Sequence, residues 1–107
     1  MTADLELDRA ADGQTVTLAL GQGLRLRLAE NPTTGYQWSE SGSSSLRLES
    51  SLFTPVGAAA GGGGTRQFQW RAHFAGIQRL SLAQRRAWEP IDQAIGLFTL
   101  TVVVDGP

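Results

Sequence analysis

Apolar and polar residues alternate through most of this chain. Val16, Leu18 and Leu20 share one parity, Leu24, Leu26 and Leu28 the next with Arg25 and Arg27 between them, and Phe68, Trp70, Ala72 and Phe74 a third. Successive side chains of a strand point to opposite faces, so a period of two describes strands with one buried face. Leu80 and Leu82 resume the alternation after a turn at Gly76, Phe98, Leu100, Val102 and Val104 set it against Thr99 and Thr101, and Leu5 and Leu7 open the series. No stretch keeps apolar residues at i, i+3, i+4 and i+7 over three turns, and 13 glycines with 4 prolines interrupt the chain at short intervals. The pattern predicts an all-β fold, an immunoglobulin-like antiparallel β-sandwich of about seven to eight strands, in one domain spanning residues 1–107. Trp38 and Trp70 fall inside alternating segments and are expected in its core.

Composition narrows what such a sandwich does. With 41% hydrophobic and 18% charged residues the chain has the make-up of a folded domain. It has no cysteine, so disulfides, thiolate metal sites and cysteine nucleophiles are excluded. The formal net charge is -1 and no lysine occurs, a poor match to the clustered cations that phosphate backbones require, so nucleic acid is not an expected partner. The charge is uneven: Asp4, Glu6, Asp8 and Asp12 lie near the start, and Arg66, Arg71, Arg79, Arg85 and Arg86 in the second half, which makes the later loops locally basic. No apolar run approaches the ~20 residues of a membrane helix. Met1-Thr2-Ala3-Asp4 lacks the regions of a signal peptide. A periplasmic or secreted location is expected if an export signal has been removed, and a cytoplasmic one otherwise. A monomer is expected.

The chain offers little to catalysis. His73 is its one histidine and shares parity with Gln69 and Arg71 on the solvent side, and no Gly-x-Ser-x-Gly elbow presents a nucleophile for it to activate. One histidine without cysteine leaves only scattered carboxylates for a metal. The run Gly61-Gly62-Gly63-Gly64-Thr65 lacks the lysine and following helix of a phosphate-binding loop, since Arg66 and a strand pattern follow. Neither enzymatic activity nor a cofactor is expected, and the flanking strands favour a hairpin-like loop over a flexible linker.

Three segments between the strands carry the chemistry: 30–36, 55–66 and 85–92. In Asn31-Pro32-Thr33-Thr34-Gly35-Tyr36 the asparagine side chain folds back on its own backbone, Pro32 fixes φ and Gly35 permits φ > 0, which predicts a pre-shaped turn with Thr33 and Thr34 at its apex and Tyr36 and Trp38 at its base. Two small β-branched side chains with hydroxyls suit a narrow cleft and lose little entropy on entering it. Trp88, between Arg85-Arg86 and Glu89-Pro90, is expected exposed.

In order and spacing these motifs resemble the chagasin family of cysteine-protease inhibitors, over nearly the whole chain. The family's pattern is Asn-Pro-Thr-Thr-Gly-aromatic, then Gly-x-Gly-Gly, then Arg-Pro-Trp. Here they correspond to residues 31–36, to Gly61, Gly62, Gly63 and Gly64, and to Arg86-Ala87-Trp88. The resemblance implies an immunoglobulin-like sandwich that reversibly inhibits papain-like cysteine proteases by occluding the active-site cleft with three loops. It implies that Thr33 and Thr34 enter the centre of the cleft, that the segment from Gly61 to Gly64 lies along the substrate groove, with Thr65 also among the protease-binding residues, and that Trp88, with Arg86, stacks on the other side. Ala87 departs from the pattern where the family has proline, which implies a less rigid third loop. The alternative reading is a carbohydrate-binding or adhesion sandwich that uses an exposed Trp88.

Overall fold

The computed structural model describes residues 3–41, 45–56 and 63–106. Within them eight strands form two four-stranded sheets. The strands are β1 (Leu5–Leu7), β2 (Thr15–Ala19), β3 (Gly23–Glu30), β4 (Gln37–Glu40), β5 (Leu46–Pro55), β6 (Gly64–Ala72), β7 (Gly76–Arg85) and β8 (Gly96–Asp105). One sheet has the order β1-β3-β6-β5, the other β2-β8-β7-β4. β1 runs parallel to β3 and β2 parallel to β8, and every other pairing is antiparallel.

The alternation read from the sequence is the alternation of burial. Leu24, Leu26 and Leu28 of β3, Phe68, Trp70 and Ala72 of β6, Leu80 and Leu82 of β7, and Phe98, Leu100, Val102 and Val104 of β8 face one another between the sheets and are buried. Phe68 and Trp70 stack at 5.4 Å between ring centroids. Trp38 also points inward, at 6% exposure.

The structure corrects several details. The alternation does not carry through to Leu20 or Phe74, which lie past the ends of β2 and β6 and are 44% and 59% exposed. β7 begins at Gly76, which is therefore part of the strand and not the turn. The loops are also displaced: Glu30 closes β3, Pro55 closes β5, Gly64, Thr65 and Arg66 open β6, and Arg85 closes β7. The connections are thus 31–36, 56–63 and 86–95. The ten-residue strand β5 carried no alternation in the sequence. It lies at a sheet edge with Leu48 and Leu52 exposed, and a bulge between Leu48 and Ser50 breaks its parity.

The registers determine where the loops emerge. Glu30 pairs with Gly64, which on its other side pairs with Pro55, so the β3–β4 and β5–β6 connections leave side by side. In the second sheet Gln37 pairs with Arg85 and Gln84 with Gly96, which brings the β7–β8 connection to the same end.

Candidate functional site

The first loop is a self-bonded turn. Asn31 Oδ1 accepts from the Thr33 amide at 3.2 Å and from the Thr33 hydroxyl at 2.6 Å, while the Thr34 amide and hydroxyl donate to the Asn31 carbonyl at 3.2 and 2.7 Å. These bonds wind Pro32–Thr34 into one 3-10 turn, and Gly35 completes the reversal at φ +83°. Both threonines are exposed. Their hydroxyls donate inward and keep lone pairs for a partner's donors.

Beneath the turn, the Trp38 indole N–H donates to the Ala29 carbonyl at 2.9 Å, tying the strand that leaves the loop to the one that enters it. The Arg9 guanidinium lies 5.0 Å from the centroid of the Trp38 ring. Glu30 makes a second tie: its Oε1 accepts from the Trp38 amide at 2.7 Å, and its Oε2 accepts from Arg66 Nη2 at 2.7 Å and Nε at 3.0 Å.

The second loop is closed by the Val56 amide, which donates to the Gly63 carbonyl at 3.1 Å. Gly61 and Gly62 lie outside the described residues. At Gly63 an added Cβ would stand 3.5 Å from the Glu30 carbonyl and 3.9 Å from Asn31 Cβ, so the base of this loop borders that of the first. At Gly64 an added Cβ would fall 2.2 Å from the Thr54 carbonyl and 2.8 Å from Pro55 Cα, which leaves no space for a side chain. Packing within the sheet accounts for that glycine, and Thr65 beside it is a half-buried strand residue. Ala29, Glu30, Asn31, Gly63, Gly64 and Gln84 line an open notch between the two loops.

The third loop begins with a tight turn in which the Glu89 amide donates to the Arg86 carbonyl at 3.0 Å. Ala87 and Trp88 are its central residues, both with negative φ, as a type I turn requires. Glu89 secures it: Arg85 Nη1 donates to the Glu89 carbonyl, and the Arg86 amide to Glu89 Oε1 at 3.4 Å. Trp88 is 76% exposed. Its ring edge and the Arg86 side chain would lie 3.8 and 3.6 Å from a Cβ at position 35, so the third loop leans on the first across a glycine. Arg86 is the brace: its guanidinium covers the Tyr36 ring at 4.5 Å, and its Nε donates to the Thr34 carbonyl at 3.4 Å.

The end of the sandwich therefore presents a stiff threonine apex, a glycine on one side and an exposed indole on the other. Sequence reasoning placed Glu30, Arg66 and Glu89 within its three loop segments without giving any of them a role, and it missed Arg9 as part of this end. A signal for the first two was present: Glu30 continues the inward parity of Leu24, Leu26 and Leu28, and Arg66 that of Phe68, Trp70 and Ala72. A charge on a buried face requires a partner, and two such charges on adjacent strands imply each other. His73 lies just past β6, exposed, where its Nε2 stands 3.2 Å from Arg47 Nη2. Among the described residues no group of three or more His, Cys, Asp or Glu is placed to hold a metal ion.

Known proteins share the sequence pattern and the fold. Residues 17–102 match the family described as Chagasin family peptidase inhibitor I42. The chain is 31% identical over 90 residues to chagasin of Trypanosoma cruzi, a match covering 78% of this chain and 82% of that one. Its fold superposes on a cysteine protease inhibitor of Entamoeba histolytica with a TM-score of 0.87 at 21% identity, covering 96% of each chain. It also superposes on PbICP-C, solved in complex with falcipain-2, with a TM-score of 0.64 at 18% identity, covering 97% of this chain and 100% of that one.

Proposed function

The chain belongs to the chagasin family of peptidase inhibitors, and from that premise we propose that it acts as a reversible wedge in the active-site cleft of papain-like cysteine proteases. It is an inhibitor and not an enzyme. The observation that carries the mechanism is the internally bonded turn at Thr33 and Thr34, flanked at the same end of the sandwich by Gly63 and by the exposed Trp88.

Papain-like enzymes hold a thiolate and an imidazolium at the floor of an extended groove. The apex enters there, with Thr33 nearest the pair, and its hydroxyl lone pairs accept hydrogen bonds from donors that would otherwise meet substrate. The turn is wound and closed by Asn31, so it offers no extended backbone to the nucleophile and is not cleaved. Gly63, without a side chain, lets the backbone approach the wall of the groove. On the other side Trp88 stacks on an apolar surface and gives the large desolvated anchor that dominates interfaces of this kind. Arg86 stays with Tyr36 and Thr34 and holds that anchor in place relative to the apex. A sugar-binding role for Trp88 has less support, because its neighbours are Gly35 and Arg86 of the same loop cluster, and the family is one of peptidase inhibitors.

The test is inhibition of papain in a fluorogenic-peptide assay, with trypsin as the control. Competitive, reversible inhibition of papain alone is expected, together with retained binding to papain whose thiol has been S-methylated, because occlusion needs no covalent chemistry. Complete loss of binding on methylation, or equal inhibition of trypsin, would sink the wedge.

A further inference from the structure

We infer that Glu30 and Arg66 form a positioning strut that holds the first and second loops at a fixed spacing, and that inhibition depends on it where folding does not. This rests on the wedge reading and adds to it a pair of residues that need not touch the protease.

The pair is unusual in its burial. The Glu30 side chain is 0% exposed and that of Arg66 16%. Both occupy inward positions that their strands otherwise fill with leucine, phenylalanine, tryptophan and alanine. A buried ion pair seldom stabilises a fold more than well-packed apolar side chains of the same volume, so stability does not explain its presence. Its connections suggest another role. Glu30 closes the strand entering the first loop, and its Oε1 holds the amide of Trp38 on the strand that leaves it. Its Oε2 takes two donors from Arg66, the third residue of the strand that leaves the second loop, and Arg66 Nη1 reaches Ser51 Oγ at 3.3 Å on the strand that enters that loop.

One carboxylate and one guanidinium thus join all four strands that flank the two loops. Leu28 is directly opposite Arg66 and Glu30 directly opposite Gly64, so the pair spans the strands diagonally. Two loops that must enter one cleft together bind with an affinity reduced by the fraction of time they are correctly spaced. A rigid diagonal between their roots keeps that fraction high.

The test uses the intact protein with Glu30→Gln and Arg66→Met combined. Gln keeps an acceptor for the Trp38 amide, and removing both charges leaves neither unpaired, so the double variant is expected to melt close to the parent. It is expected to inhibit papain about tenfold more weakly at a temperature where both proteins are folded. Amide hydrogen exchange in the free protein should quicken at Thr34 and Val56, the closing amides of the two loops, and stay unchanged at Leu100 and Val102. Inhibition equal to the parent's overturns the strut. So does a uniform rise in exchange at all four amides, which marks a general loss of stability. If the double variant fails to fold, Arg66→Lys, which keeps the charge and loses the two-pronged contact, carries the same measurements. If the parent itself fails to inhibit papain, the proposed function falls, and the exchange pattern alone decides the strut.

Discussion

Gly35 bears the conformational burden of the first loop. Its φ of +83° lies in the left-handed region, where a side chain costs about 1–2 kcal/mol, while a Cβ there would meet Arg86 and Trp88 only at ordinary contact distances. Gly35→Ala is therefore expected to lower the melting temperature by several degrees through the backbone and not through a clash, a shift that a thermal melt would register. At Trp88 the balance is reversed, since a side chain 76% exposed contributes little to the fold. Trp88→Ala should leave the melting temperature nearly unchanged and weaken protease binding by ~2 kcal/mol or more, whereas Thr33→Ala, which loses a neutral hydrogen bond, should cost about 0.5–1.5 kcal/mol. Inhibition constants and melts for both variants against one enzyme measure this. A large fall in melting temperature for Trp88→Ala would make that residue part of the packing.

Among the elements, the turn 86–89 is the most open to improvement. Ala87 sits at its first central position, where a type I turn favours proline, and its amide donates no hydrogen bond among the described residues. Ala87→Pro should raise stability by ~0.4–1 kcal/mol by restricting the unfolded chain. It should also tighten inhibition severalfold by lowering the cost of ordering the loop. Tenfold weaker inhibition with an intact fold would withdraw the roles given to Arg86 and Trp88. Elements differed in how legible they were. β3, β6 and β8 each bury one face against the opposite sheet, so their periodicity survives in the sequence. β5 is an edge strand whose bulge shifts register between Leu48 and Ser50, and neither face carries a continuous apolar row. The first loop was legible because its shape is local: Asn31, Pro32 and Gly35 each dictate their own backbone.

For the whole molecule, the marginal point is Glu40, a half-buried carboxyl beside the core residue Trp70. Burial raises the pKa of its carboxyl, and the Trp70 indole partly offsets the rise, yet neither Glu40 Oε2 nor Trp70 Nε1 completes a hydrogen bond among the described residues. A raised carboxyl pKa means that the fold favours the neutral form. The stability this group contributes is full below the ordinary glutamate value and is lost as pH rises through the elevated one. Glu40→Gln, neutral throughout, is expected to melt above the parent near pH 7, with the gap narrowing toward about pH 4, where the parent's carboxyl is protonated as well. Melts across that range check it, and a gap that does not vary with pH would show that the carboxylate is adequately solvated.

The chain's sequence by itself determined the two-layer β architecture, the inward row of each core strand and the shape of the Asn31 to Gly35 turn. All of these follow from interactions between residues one to four positions apart. Tertiary structure decided which loops meet. Pairing of Glu30 with Gly64 and of Gly64 with Pro55 sets the second loop beside the first, and Arg86 over Tyr36 sets the third against it. It also turned two charges, separated by 36 positions in the chain, into one buried contact. Strand register is a property of partners distant in sequence, so periodicity shows which face of a strand is buried and leaves undecided what lies against it.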